Sequence, residues 1–235
     1  MKLSIIIPTY NEENTIRELI SYVQSVKYPI PYEIVIIDDA SIDRTYEKEL
    51  LLKIKNRAEE NNIRIFKNRI NRGKGFSIRK GIKRSRGDVI VIQDADTEYN
   101  PKEIPGLLAP ILNGESSAVY GSRFMNNPHP EGMSFLAYLA NRFLTKMANF
   151  LFGLSLTDME TCYKVFQADI IKGLPLITNR FTFEPEVTAL LAKKGIKIKE
   201  LPISYRGRSW REGKKIKAKD FFFACFVLLW YWIKK

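Results

Sequence analysis

Six short runs of apolar, mostly β-branched residues punctuate the chain: LSIIIP (3–8), EIVIIDD (33–39), IRIF (63–66), DVIVIQD (88–94), SAVYGS (117–122) and IKIKELPIS (196–204). Between most of them lie segments with helical period, among them NTIRELISYVQS, TYEKELLLKIKNRAEE and FSIRKGIKRSR. Strands that alternate with helices can bury both faces only in a largely parallel sheet covered by helices on either side. Such a sheet binds its ligands beyond the carboxyl ends of its strands, at the point where the strand order reverses. Three polar clusters fall at that edge: PTYNEE, DDASIDRT and QDADTEY.

The last cluster is the most demanding chemically. GDVIVIQDADTEYNP runs an apolar strand straight into Asp94, Asp96 and Glu98. Carboxylates so close repel one another unless a cation or a donor-rich partner sits among them. Asn100, Pro101 and Glu103 then read as a helix start, with Asn as N-cap. The acids therefore occupy a strand-to-helix elbow. An EF-hand is excluded, because Tyr99 stands where glycine is needed and Pro105 at the twelfth position. No G-x-x-x-x-G-K-[ST] precedes the strand, and the first strand leads into PTYNEENT without glycine, so neither a P-loop nor a dinucleotide fingerprint is present. Two readings survive. In one, Asp96 ligates a divalent cation shared with a nucleoside diphosphate, Mg²⁺ being content with one or two carboxylates, while Asp94 assists. In the other, Asp94 is a nucleophile and Asp96 an acid/base in D-x-D-x-T, as in haloacid-dehalogenase-type phosphohydrolases. A whole βαβα unit precedes the motif, which favours the first.

The formal charge of +12 in 235 residues implies anionic partners. Cys162 and Cys225 form no C-x-x-C pair, so a reduced compartment is expected. His129, the single histidine, lies between prolines, which argues against a Ser-His triad and against histidine-held metal. MKLSIIIPTYNEE does not have the form of a signal peptide. EGMSFLAYLANRFLTKMANFLFGLSL (131–156) places Phe135, Leu139, Phe143, Met147 and Leu151 at spacings of four, as in a helix whose apolar face meets either core or lipid. After a basic stretch, FFFACFVLLWYWI (221–233) is apolar throughout. About 20 Å of helix cannot cross a hydrocarbon core of ~30 Å, but Lys and Trp at its ends suit a membrane interface. The expected division is a catalytic domain over 1–205 and a basic loop with a short interfacial helix over 206–235.

PTYNEENT, VIIDDASIDRT, NRGKGFSIRKG, GDVIVIQDADTEYNP, YGSRF, TDMETCYKVF, FTFEPEVTALLAKKG and EGKKI together resemble the family-two glycosyltransferases of GT-A fold. The likeness is nearest to polyprenyl-phosphate sugar synthases of the dolichyl-phosphate mannose or glucose type, and it covers nearly the whole chain. It implies that Pro8, Tyr10 and Glu12 line the nucleotide pocket with Asp38 and Asp39, and that Lys74 approaches a phosphate. Glu12 also fits a capping box with Thr9, as Glu160 does with Thr157. Asp94 and Asp96 become the motif for metal and sugar nucleotide, with Mg²⁺ or Mn²⁺ as cofactor and Gln93 at the sugar. Arg123 receives the acceptor phosphate. Asp158 takes the place where members with hydroxyl acceptors carry a base. Arg206 or Arg208, and Lys214, Lys215 or Lys217, close over the diphosphate.

The implied activity is inverting transfer of a hexose from GDP-mannose or UDP-glucose to a polyprenyl phosphate. It would take place peripherally at the cytoplasmic face of the membrane, with a separate membrane subunit as a possible partner and no role for nucleic acid. Three alternatives accompany it: transfer to a saccharide or protein hydroxyl with Asp158 as base, the phosphohydrolase, and a non-catalytic lipid-surface module. QDADTEY and DMETCYK depart from the mannose-synthase forms M-D-A-D-L-S-H and D-x-x-S-G-F, which leaves the donor sugar open.

Overall fold

Odd and even residues of the inner strands go to opposite cores. Ile6, Val35, Ile37, Ile90 and Ile92 belong to one buried apolar cluster; Ile5, Ile7, Ile34, Ile36, Val89 and Val91 belong to another. This two-sided burial explains why the strands read as unbroken apolar runs, because both faces of a parallel strand are covered. The computed structural model describes residues 1–55, 62–207 and 218–234. In chain order the elements are β1 (Leu3–Thr9), α1 (Ile16–Ser25), β2 (Tyr32–Asp38), α2 (Thr45–Lys55), β3 (Ile63–Lys67), α3 (Lys74–Arg84) and β4 (Val89–Ile92). A 3-10 turn (Pro101–Glu103), α4 (Ile104–Leu112), β5 (Ala118–Ser122), α5 (Phe135–Phe152), β6 (Lys164–Gln167), α6 (Ala168–Lys172), α7 (Phe183–Lys193), β7 (Ile198–Pro202) and α8 (Ala218–Ile233) complete them.

One seven-stranded sheet runs β3-β2-β1-β4-β6-β5-β7. Every pairing is parallel except those of β6 with β4 and with β5. The chain works outward from β1 to β3 and then returns to lay β4 on the other side of β1, so the order reverses between β1 and β4. α3 crosses tightly over this point: a Cβ at Gly81 would collide with Ile6. The expected strands are present, and β6, whose KVFQ is too short to stand out in the sequence, is an addition. Asn100 caps as expected, its Oδ1 accepting the amide of Lys102 at 3.1 Å.

Neither expected capping box forms. Thr9 belongs to β1 and its hydroxyl donates to Glu49 on α2, while Glu12 instead accepts from the Thr15 hydroxyl at 2.8 Å. Thr157 precedes a turn and not a helix, and Glu200 of β7 accepts its amide and hydroxyl.

The core-facing residues of α5 are Leu144, Thr145 and Ala148, whereas Phe135, Leu136, Leu139, Phe143 and Phe150 are exposed. The aromatic stripe at spacings of four thus faces outward over the first half of the helix. α8 lies against α5 and α7 through Ala224, Leu228 and Tyr231, which join the same apolar cluster as α3, α6 and α7. The Tyr231 hydroxyl donates to buried Glu186 at 2.8 Å, and Glu186 also accepts the amides of Ile177 and Thr178. The outer side of α8 exposes Phe222, Phe223, Phe226, Trp230 and Trp232. Among the described residues, no helix is long and apolar enough to cross a membrane.

Candidate active site

The carboxyl ends of β1, β2 and β4 carry the expected acids, and each acid is held in its own way. Asp39, just past β2, accepts the Asn68 amide at 2.7 Å and the backbone amides of Arg72 (3.0 Å) and Gly73 (2.6 Å). Gly73 is the N-cap of α3 and offers no side chain of its own, so Asp39 serves as the anion at that helix start. Gly73 has φ of 95°, and a Cβ there would stand 2.6 Å from the carbonyl oxygen of Asn179. Glycine is required on both counts.

Lys74 opens α3 and points into the elbow. Its Nζ lies 2.9 Å from Asp94 Oδ1, 3.1 Å from Glu184 Oε1 and 3.0 Å from Cys162 Sγ. The Cys162 thiol donates to Asp94 Oδ2. Burial works against charge on Lys74, but Asp94, Cys162 and Glu184 outweigh it and raise its pKa well above the usual lysine value. Burial, then Asp94, drives the Cys162 thiol up, so it stays protonated. The result is an ammonium-carboxylate knot at the mouth of β4. Asp96, two residues on, accepts the Glu98 amide on Oδ1 at 3.2 Å. Among the described residues, no group of three or more His, Cys, Asp or Glu side chains is placed to hold a metal ion by itself. Asp94 and Asp96 are hard oxygen donors of the type that Mg²⁺ and Mn²⁺ take together with ligand oxygens and water.

Deeper lies a second charged group. Asp158, fully buried, takes the Arg123 guanidinium through Nε at 2.7 Å and Nη2 at 2.8 Å, and also accepts the Arg123 amide at 3.0 Å. Burial opposes the Arg123 charge and Asp158 overrides it, so its pKa lies well above the ordinary arginine value. Arg123 also walls a cavity of about 440 Å³ bounded by Glu103, Asn126, Glu131, Ser204 and Tyr205. Beside these groups, Glu160 is pushed up to about 8 by burial and by Glu184, with an oxygen that has no partner. Lys164, wholly buried, donates to the carbonyls of Met159 and Thr161.

Several expected roles change. Asp158 does not suit the role of base, since it is fully buried and both its oxygens are engaged by the Arg123 guanidinium and amide. Gln93 cannot meet a sugar: it is fully buried, accepting from Tyr163 at 2.7 Å and donating to the Asp94 carbonyl. Asp38 is likewise fully buried, below the loop and not in the crevice. Pro8, Tyr10 and Lys74 keep partial access, Glu12 and Asp96 a little. Arg206 is exposed, with its amide donating to the Glu98 carbonyl at 3.1 Å. Arg208, Lys214, Lys215 and Lys217 lie outside the described residues. Sequence reasoning passed over Glu184, Cys162, Glu49 and Lys164. FTFEPEV did show an acid in the first turn of a helix, which was the available signal for Glu184.

A reversing parallel sheet with acids at the switch and a reversed strand beside it defines the nucleotide-diphospho-sugar transferase class of α/β fold, GT-A. The chain belongs to glycosyl transferase family 2, whose profile matches residues 4–174. It is 30% identical over 222 residues to a dolichol-phosphate mannosyltransferase of Pyrococcus furiosus, covering 92% of this chain and 61% of that protein. A low-salt glycan biosynthesis hexosyltransferase, Agl6, of Haloferax volcanii is 30% identical over 208 residues, covering 88% of this chain and 48% of its own length. The chain thus spans about half to three-fifths of these relatives. Among solved structures, glucosyl-3-phosphoglycerate synthase of Mycobacterium tuberculosis, crystallised with Mn²⁺, UDP-glucose and phosphoglyceric acid, superposes with a TM-score of 0.72 at 18% identity, covering 98% of this chain and 79% of that one.

Proposed function

We propose that the chain transfers a hexose, with inversion, from a sugar nucleotide to a polyprenyl phosphate at the cytoplasmic surface of a membrane. The observation that carries this reading is the elbow at the switch point, where Asp94 and Asp96 stand beside a captive ammonium. The family assignment favours transfer over phosphohydrolysis, and the engagement of Asp94 by Lys74 and Cys162 leaves it poorly disposed as a nucleophile. The dolichol-phosphate relative supports a lipid-phosphate acceptor.

Asp96, with Asp94, would hold a divalent cation, Mg²⁺ or Mn²⁺, which supplies charge neutralisation at the diphosphate when bound. Around it the chain contributes its own cations. Lys74 is fixed at the start of α3, where the departing phosphate gathers charge as the sugar acquires oxocarbenium character. A pre-set cation stabilises that state more than the ground state. Pro8, Tyr10 and Glu12 form the side of the crevice on which the nucleoside rests. Asp158 orients Arg123, and the wall of the cavity is where the acceptor phosphate meets the guanidinium. A phosphate oxygen is already anionic near neutral pH, so the reaction needs no general base. This agrees with the loss of Asp158 from that role and favours a phosphate over a hydroxyl acceptor.

The exposed aromatic sides of α5 and α8 form the membrane face. Phe143 and Phe221 are joined ring to ring at 5.6 Å, and Lys146, Lys219 and Lys234 are exposed on the same two helices or beside them. Interfacial aromatics and lysines of this kind anchor at headgroup depth. One assay tests both parts: labelled GDP-mannose and UDP-glucose are offered with vesicles that carry a polyprenyl phosphate. Asp96→Ala is expected to lose at least about 100-fold in organic-phase product while still sedimenting with the vesicles. A Phe222→Ser/Phe226→Ser variant is expected to remain in the supernatant. Undiminished product from Asp96→Ala would overturn the elbow's role, and undiminished sedimentation of the aromatic variant would overturn the membrane face.

A further inference from the structure

Below the loops that leave β1 and β2 lies a buried acid pair that the reaction does not use. Glu49 on α2 and Asp38 at the end of β2 are both completely shielded from solvent. Each carboxyl has one satisfied oxygen: Thr9 donates to Glu49 Oε1 at 2.7 Å, and the Ser41 amide donates to Asp38 Oδ1 at 3.0 Å. The other oxygen of each, Glu49 Oε2 and Asp38 Oδ2, is buried and without a partner. Thr9 stands opposite Asp38 in the β1–β2 register and donates to Glu49, so the two acids meet on the same side of the sheet. Two orphaned carboxylate oxygens there are unfavourable if both groups are charged, and a single proton between them removes both deficits.

We propose that Glu49 and Asp38 share one proton, Glu49 acting as a neutral acid that donates to Asp38, and that this bond clamps α2 onto the ends of β1 and β2 beneath the nucleotide loops. The surroundings fit that state. The charged groups that face Glu49 are Asp38 on β2, Asp43 ahead of α2 and Lys67 at the end of β3, so anions outnumber the cation. Lys67 is also engaged over the Tyr46 ring at 4.3 Å. On the α1 side, Glu12 and Glu13 present backbone amides to Thr45 and Asp43 and bring no compensating positive charge. Burial first, and Asp38 next among the charges, push the Glu49 carboxyl up to about 8. Its placement directs the consequence upward, because Thr9, Ser41 and Thr45 carry the turns on which Tyr10, Asn11 and Glu12 are built. The clamp stands whether or not the chain transfers sugar, so its test needs no turnover.

The sign follows from linkage. A carboxyl whose folded pKa is raised above its unfolded value favours the folded state fully below the unfolded value, and that advantage is lost as pH rises through the folded value near 8. Glu49→Gln keeps the shape, the acceptor for Thr9 and an N–H for Asp38, but cannot ionise. Thermal melts of the full chain and of Glu49→Gln between pH 5 and 9 should nearly coincide at pH 5. They should then diverge in favour of Glu49→Gln by roughly 3 °C per pH unit up to about pH 8. An infrared difference spectrum between the two proteins at pH 7 should contain a protonated-carboxyl stretch from the parent. Parallel melting curves, an absent stretch, or a Glu49→Gln chain that fails to fold would each overturn the shared proton.

Discussion

Asp39 and Asp158 are both buried acids at the ligand edge of the sheet, and they are neutralised by different means. Asp39 is surrounded by neutral donors, two of them backbone amides at the start of a helix. Asp158 is matched by a full guanidinium, itself buried. Removing a neutral-donor partner leaves dipoles to be rehydrated, whereas removing a charged partner strands an ion in a dry interior. The Asp39 side of the crevice is thus built as a folded knot and the Asp158 side as a balanced ion pair.

The largest predicted effect probes the ion pair. Asp158→Ala abandons Arg123 below the surface and should destabilise the chain by about 4 kcal/mol, read from chemical denaturation. An effect under about 1 kcal/mol would mean that Arg123 swings out to solvent and that its orientation does not depend on Asp158. Asp39→Asn keeps a carbonyl for one donor but turns an N–H toward the amides of Arg72 and Gly73. A loss of about 2 kcal/mol is expected, accompanied by faster exchange of the Arg72 and Gly73 amides. If Asp39→Asn proved costlier than Asp158→Ala, the neutral-donor knot and not the ion pair would be the more tightly bound of the two. The smallest effect sharpens the knot itself. Ala40, beside Asp39, has φ of 61°, in the left-handed region that disfavours a Cβ. Ala40→Gly should relieve that strain, less the extra freedom it gives the unfolded chain, for a net gain of about 0.5 kcal/mol in the same denaturation experiment. A loss would show that the Ala40 methyl contributes packing that outweighs its backbone strain.

The architecture was largely legible because a doubly covered parallel sheet writes itself as apolar runs, and all six such runs became strands, β1 to β5 and β7. β6 escaped because a four-residue strand whose first side chain is Lys164 carries no such pattern. The position of Asp94 and Asp96 was legible from chain order alone. Their partners were not: Lys74, Cys162 and Glu184 come from three separate segments, and only the folded chain brings them within hydrogen-bonding distance. Gln93 and Asp38 misled for a related reason. Each adjoins a crevice acid in sequence, but alternation along a strand turns neighbours to opposite sides, and both point inward. The period of α5, that of any amphipathic helix, left core and lipid equally open for its apolar stripe; which flank meets the core depended on where α7 and α8 settle.

β6 runs against its neighbours, so the ligand edge is reached from its beginning and not from its end. The residues that deliver Asp158 and Cys162 therefore belong to the return stroke from α5, separated from that helix only by the short stretch 153–157. Helix α5, the arginine-paired Asp158 and the thiol hydrogen-bonded to the elbow acid thus follow one another directly along the chain.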